Sequence, residues 1–181
     1  MGEPVNGELS RHHATVFVTG RAAEHIEPLR REWDPRASRQ IDAHVTVAYP
    51  EEAPDPVLLR ARLGAAAARI PPFPLRLGPV VAHENKPARG VYHLVEDPAG
   101  MFAWLREFVL SSPFVPLHVV PHASIVHPRT SRSGPKAYKV LAGDDPRLEF
   151  RVGAVHLTAF DGARWIVTES FALSQGPLPD P

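Results

Sequence analysis

The chain has 181 residues, with 20 basic and 20 acidic side chains that cancel to zero net charge at pH 7. That length suffices for a sizeable core in one domain, and balanced charge argues against a surface that grips long nucleic acid, which needs a basic surplus. Cysteine is absent, so disulfides and thiolate chemistry are excluded. No apolar run approaches the ~18 residues that span a bilayer, and the N-terminus lacks a signal peptide's apolar segment. A cytoplasmic monomer without membrane contact is therefore expected.

Residues 1–13 are polar and read as a flexible arm, with the polar, glycine-containing stretch from Met1 to Arg11 as its bulk. Ala14 to Thr19 follows as a strand. From Ala22 to Trp33, helical spacing joins Ile26, Leu29 and Trp33, and Pro28 suggests a late helix start near Ile26. Trp33 is read as a core residue.

The next segment is Ile41-Asp42-Ala43-His44-Val45-Thr46-Val47-Ala48-Tyr49-Pro50. In an extended strand, side chains alternate between faces, so His44 and Thr46 share one face and Val45 and Val47 the other. Asp55-Pro56 is an N-cap acceptor followed by proline at the first helical position, opening a helix to about Arg69. Phe73 to His83 reads as an edge or bulged strand interrupted by Gly78-Pro79. A polar turn from His83 to Gly90 leads into a strand over Val91–Val95.

Asp97-Pro98 repeats the cap-plus-proline signal, and Phe102, Leu105 and Val109 supply the buried stripe of a helix. Phe102 and Trp104 are read as packing residues. Pro121-His122-Ala123-Ser124-Ile125-Val126-His127-Pro128 then echoes the first motif, and in both copies a proline stands six positions after the histidine (50 − 44 and 128 − 122). Arg129 to Lys136 is basic and polar, a mobile loop or a flap that brings cations to a phosphate. Two apolar stretches, Leu148 to Phe160 and Trp165 to Leu173, suggest a hairpin around Asp161-Gly162. Residues 175–181 read as a disordered proline-rich tail, leaving 14–174 as a single bilobal domain.

Taken singly, a His-x-Thr in a β-branched strand is a structural histidine, and its hydroxyl an ordinary strand residue. Duplication changes that reading. A strand precedes each motif through an intervening helix, Ala14 lying 30 residues before His44 and Val91 lying 31 before His122 (44 − 14 and 122 − 91). Such self-similarity indicates a repeated supersecondary unit. The expectation is an α+β protein of two β-α-β halves, with two sheets, helices outside and a central cleft.

Paired His-x-Thr/Ser motifs at this separation resemble the two-histidine (2H) phosphoesterase superfamily, which includes 2'-5' RNA ligase-like proteins and cyclic nucleotide phosphodiesterases. The resemblance covers about residues 14–174. It implies a metal-independent phosphodiesterase acting on 2',3'-cyclic phosphates of RNA ends or small nucleotides, with His44, Thr46, His122 and Ser124 as catalytic residues. His44 would be the acid and His122 the base. Tyr49 and Arg129 are candidate substrate contacts. No cofactor and no metal ligand set is expected. Family members often carry an arginine five positions after the second histidine. Here that position is His127, which a regular strand would turn away from His122, and Arg129 is the nearest replacement cation.

Two other readings stay open beside this one. A binding module could keep the cleft without turnover, and a metal hydrolase could recruit histidines from this His-rich chain, although His-x-His and Glu-x-x-His spacings are missing. 2'-5' RNA ligation is a further possible activity of the same cleft. Of the remaining histidines, His13 and His93 adjoin the first strands of the halves and are the ones placed to reach the cleft. They and the others are otherwise read as structural or surface residues.

Overall fold

Alternation of exposure fixes the two motif strands. Val45, Val47, Ala123 and Ile125 are buried, whereas His44, Thr46, His122 and Ser124 stay half-buried on the opposite face, as a period of two requires. In the computed structural model, which describes residues 11–83 and 90–174, these strands lie at the centre of one curled antiparallel sheet. The first ten residues of the arm expected over 1–13, the turn after His83 and the tail lie outside the described residues.

The strands are β1 (His12–Phe17), β2 (His44–Ala48), β3 (Phe73–Ala82), β4 (Val91–Glu96), β5 (His122–Val126), β6 (Leu148–Val152), β7 (Ala154–Phe160) and β8 (Trp165–Ala172). Their order is β6-β3-β4-β5-β2-β1-β7-β8. The helices are α1 (Gly20–Trp33), α2 (Pro35–Gln40), α3 (Pro56–Ala67), α4 (Met101–Val109) and α5 (Gly134–Leu141). The fold class is α+β, but the two sheets expected from the sequence are two halves of one sheet. They join through a single residue pairing, Val45 with Ala123. Joining removes two open inner edges, each of which would otherwise present unpaired backbone groups.

The halves match in detail. β1 pairs β2 with a register shift between Ala14 and Thr15, and β4 pairs β5 with a shift between Val91 and Tyr92. Opposite Val45 on the neighbouring strand stands Val16, and opposite Ala123 stands His93. The helices cross over between halves: α1 packs on β5 and β6, while α4 packs on β2. Ile26, Leu59, Leu63, Phe102 and Leu105 fill the core between helices and sheet.

Several expected boundaries move. β1 begins at His12, so His12 and His13 belong to the sheet rather than to an arm. Pro28 sits inside α1 and does not delay its start. The lost hydrogen bond is tolerated because Ala22, Ile26 and Arg30 form a buried stripe that holds both sides of the proline in place. Trp33 packs half-buried against the core, with the Lys136 ammonium 5.9 Å from its ring centroid. β3 is bulged between Leu77 and Val80, as Gly78-Pro79 suggested, but it is an interior strand between β4 and β6.

Asp55 caps α3 as expected, accepting from the amides of Val57 and Leu58. Asp97 acts at longer range. Its Oδ2 accepts from the Ala103 amide at 2.9 Å, and α4 starts only after Gly100, whose φ of 68° is left-handed and suits glycine. The run from Leu148 to Phe160 divides at Gly153 into β6, which pairs β3, and β7, which pairs β1 in the other half. β7 and β8 form the expected hairpin. Arg129 to Lys136 is not a free loop. Ser131 and Ser133 both donate to the Trp33 carbonyl, and α5 begins at Gly134 with Pro135 in its first turn.

Candidate active site

The seam between the halves assembles the motif side chains. Continuing the Val45–Ala123 pairing by one residue each way sets His44 across from Ser124 and Thr46 across from His122. Residues opposite each other on antiparallel strands share a face, so two imidazoles and two hydroxyls share the face of the sheet opposite the core. The helix side takes Val45, Val47, Ala123 and Ile125 into the core.

Both rings are held in the same way. His44 Nδ1 lies 2.8 Å from the Asp42 carbonyl oxygen, and His122 Nδ1 lies 2.8 Å from that of Val120. A carbonyl only accepts, so in each ring Nδ1 carries the proton and donates it. The neutral ring then has its lone pair on Nε2. Each Nε2 can take a proton when neutral and give one when the ring is charged.

Electrostatics separates the two rings. Burial pushes the His44 pKa down to about 4, with Arg30, His122 and His127 adding repulsion and the bond to the Asp42 carbonyl opposing it. His122 is also lowered, chiefly by burial, with His83 adding and the Val120 carbonyl opposing. Both imidazoles are therefore largely neutral at pH 7 in the free protein. An anionic phosphate between them would supply the opposite charge that raises such a pKa.

The residue five positions after each histidine returns to the same neighbourhood. The Tyr49 phenol is raised by burial and interacts with the Thr46 hydroxyl. His127, expected to turn away, lies near enough to His122 to be pushed down by it, and near enough to His44 to push that ring down. The strand ends at Val126, and the consecutive burial of Ile125 and Val126 breaks the alternation on which that expectation rested. Arg129 acts on His127, and it lines a polar hollow with Arg36 and Arg132 beyond the motif strand.

A buried carboxylate anchors each of these exits, and neither was singled out in the sequence. Glu52 accepts from the Tyr49 amide at 2.8 Å, from Arg106 at 2.7 Å and from the Leu117 amide at 2.7 Å. Asp34 accepts from the His127 amide at 2.9 Å, from the Thr130 hydroxyl at 2.5 Å and from the Ala37 amide at 3.0 Å. Asp34-Pro35 is itself a cap-plus-proline signal, the same one that marked α3.

His13 reaches the site from β1. Its ring centroid is 5.5 Å from that of His44, Trp165 meets it edge-on at 4.2 Å, and its Nδ1 lies 2.7 Å from the Thr158 hydroxyl. Tyr92 of β4 packs on His122 at 4.6 Å. His93, by contrast, is buried on the core face opposite the motif histidines, bonding the Gly78 carbonyl through Nδ1 at 2.8 Å. Three groups capable of holding a metal, His25, His93 and Asp144, cluster there.

The model of the 2'-5' RNA ligase superfamily matches residues 18–164. No curated protein matches the sequence. Among solved structures, E. coli LigT complexed with 3'-AMP is 20% identical, covers 92% of this chain and 99% of its own, and superposes with a TM-score of 0.65. LigT has also been solved with phosphate, NADP+ and ATP. TT0787 of Thermus thermophilus is 18% identical, with 90% and 97% covered and a TM-score of 0.61. Usb1 of Kluyveromyces marxianus is 14% identical, with 92% and 99% covered and a TM-score of 0.52. These similarities concern the fold, and no helix among the described residues is long and apolar enough to cross a membrane.

Proposed function

The chain belongs to the 2'-5' RNA ligase superfamily, and from that premise we propose that it is a metal-independent phosphodiesterase opening 2',3'-cyclic phosphates on RNA ends or small nucleotides. One observation carries the reading: paired imidazoles at the seam, each with Nδ1 tied to the carbonyl two residues earlier and Nε2 left for proton transfer. Ligands of LigT support the substrate class, because 3'-AMP is a nucleotide bearing a ribose phosphate.

The step balances with these groups alone. Water attacks phosphorus, the P–O bond to one ribose oxygen breaks, one imidazole accepts the water proton, and the other protonates the departing oxygen. The product is a phosphomonoester. The Thr46 and Ser124 hydroxyls donate to the phosphoryl oxygens as charge gathers there. Tyr49, beside Thr46, contacts the substrate, while Arg129 and its neighbours attract the rest of the anion. Ligation differs only in replacing water by a 5'-hydroxyl, and the family description favours keeping it as a second activity.

His44 is assigned as acid and His122 as base. The reverse assignment has one observation in its favour: His44, down to about 4, is the ring held most firmly neutral before substrate arrives. A substrate with an activated leaving group needs no acid, so it restores turnover to His44→Ala and not to His122→Ala. Rescue of His122→Ala instead reverses the roles.

The reading itself is tested with a 2',3'-cyclic mononucleotide in the presence of a chelator. Turnover to a phosphomonoester is expected. Binding without turnover would make the protein a binding module, and loss of turnover with the chelator, measured while the chain stays folded, would make it a metal hydrolase.

A further inference from the structure

We propose that His25, His93 and Asp144 form a binding site for a divalent transition-metal cation, best matched by zinc, which clamps α1 to β4 on the face of the sheet opposite the motif histidines. The site draws on three distant parts of the chain. His25 comes from α1 of the first half, His93 from β4 of the second, and Asp144 from the link between α5 and β6. Their ligand atoms lie within 4.8 Å of one another. His25 Nε2 is 2.9 Å and His93 Nε2 is 3.9 Å from the same carboxylate oxygen, Asp144 Oδ2. Tetrahedral zinc with bonds near 2.1 Å separates its ligands by about 3.4 Å, so small side-chain movements suffice.

Two observations point to a ligand rather than to a packed polar cluster. The first is His93 itself. Its ring is completely buried and its Nε2 has no hydrogen-bond partner. Because Nδ1 donates to the Gly78 carbonyl, the neutral ring carries its lone pair on Nε2, 3.9 Å from a carboxylate oxygen that also accepts only. A carbonyl accepting from the far ring nitrogen is how metal-ligating imidazoles are oriented. The second observation is the twin half. Val16 occupies the place of His93, opposite Val45 as His93 is opposite Ala123, and is equally buried. The scaffold therefore accepts an apolar residue here, while an unpaired polar one costs stability.

The remaining ligands are built to receive an ion. The Asp144 amide donates to the Leu141 carbonyl at 3.0 Å, and its carbonyl accepts from Val80 at 2.8 Å beside the β3 bulge, which fixes the backbone. The side chains of His25 and Asp144 are each about 30% exposed, leaving an entry path from solvent and room for a water as fourth ligand. On binding, His25 exchanges its Nε2 proton for one on Nδ1, and His93 needs no change. The cation would tie the two halves together through α1, behind the strands that present the motif histidines.

The test uses the full chain freed of metal by a chelator. Titration with zinc chloride should load one ion per chain and raise Tm by roughly 5–10 °C at a hundredfold excess over Kd. Co2+ should give the visible bands of a low-symmetry nitrogen and oxygen site. His25→Ala and Asp144→Asn should weaken binding at least tenfold. His93→Val, which copies the twin half, should fold, stay stable without metal and lose the response to zinc. The His44→Ala, His122→Ala double variant should keep it. Absence of zinc binding, or binding unchanged in His25→Ala and His93→Val, would overturn the site. Loss of turnover on zinc removal, measured below Tm, would place the ion in the chemistry and overturn the clamp.

Discussion

The two halves share a backbone and differ in what surrounds it. Each presents a histidine and a hydroxyl from a strand beside a register shift, and each ties Nδ1 to the carbonyl two residues earlier. Around His44 stand His13, Phe17, Arg30 and His127, whereas His122 has Tyr92 on its ring and His83 nearby. Duplication therefore explains position, and unequal burial, with unequal charged neighbours adding to it, explains how two identical groups acquire different proton affinities. An acid and a base need that inequality.

Removing one half's contribution at a time gives the largest effects. His44→Ala and His122→Ala should each cost ~10²–10⁴-fold in turnover. The double variant should be little worse than the worse single one, because residues that act as a unit are not additive. Additive losses in kcat would mean that the halves work independently.

The buried carboxylates separate the halves by stability. Glu52→Ala leaves Arg106, only 14% exposed, without its partner and should cost about 3–5 kcal/mol. Asp34→Ala strands no cation among its bonded partners, because it removes acceptors from two amides and a hydroxyl, at ~2–3 kcal/mol. Urea unfolding compares the two, and an equal or reversed order would show that the Arg106 contact contributes little.

Thr46→Ala and Ser124→Ala should slow turnover by roughly 10²-fold each, with Thr46→Ser mild because the hydroxyl remains. The Thr46 variant should also release Tyr49, its neighbour, whereas Ser124 has no tyrosine at the matching position. An unchanged rate in Thr46→Ala would mean that the hydroxyl faces elsewhere.

The buried rings also give stability a pH dependence. His13, His44, His93, His122, His127 and His156 are all lowered by burial. Their folded pKa values lie below the ~6.5 of an unfolded chain, so the unfolded state binds more protons as the medium acidifies. The contribution is complete above pH ~6.5 and is lost as pH falls through the folded values. Tm should drop between pH ~7 and ~5, and His93→Val, which makes the halves alike, should make the drop shallower. A Tm that rises on acidification would contradict the burial of neutral rings.

The repeat was legible because its signals are local. His44 to Pro50 and His122 to Pro128 carry a period of two, and Asp55-Pro56 caps the helix it announces. What the sequence hid depends on contacts between distant residues. Nothing near Val45 or Ala123 says that their strands will touch, and Glu52 looks like any surface acid until Arg106 meets it. His127 lies one residue past the end of the strand, where perfect alternation no longer fixes the side of a residue. His25, His93 and Asp144 have no mutual spacing to read, since α1 crosses over to the other half.

The central claim is that one proton shared between His44 and His122 governs the reaction, and the pH profile of kcat/KM reports on it most directly. With both free-protein pKa values lowered, the profile should be a bell with both limbs below pH ~6.5, read as macroscopic constants of the coupled pair. His44→Ala should lose one limb and His122→Ala the other. A flat profile, or a full bell surviving in either single variant, would contradict the account.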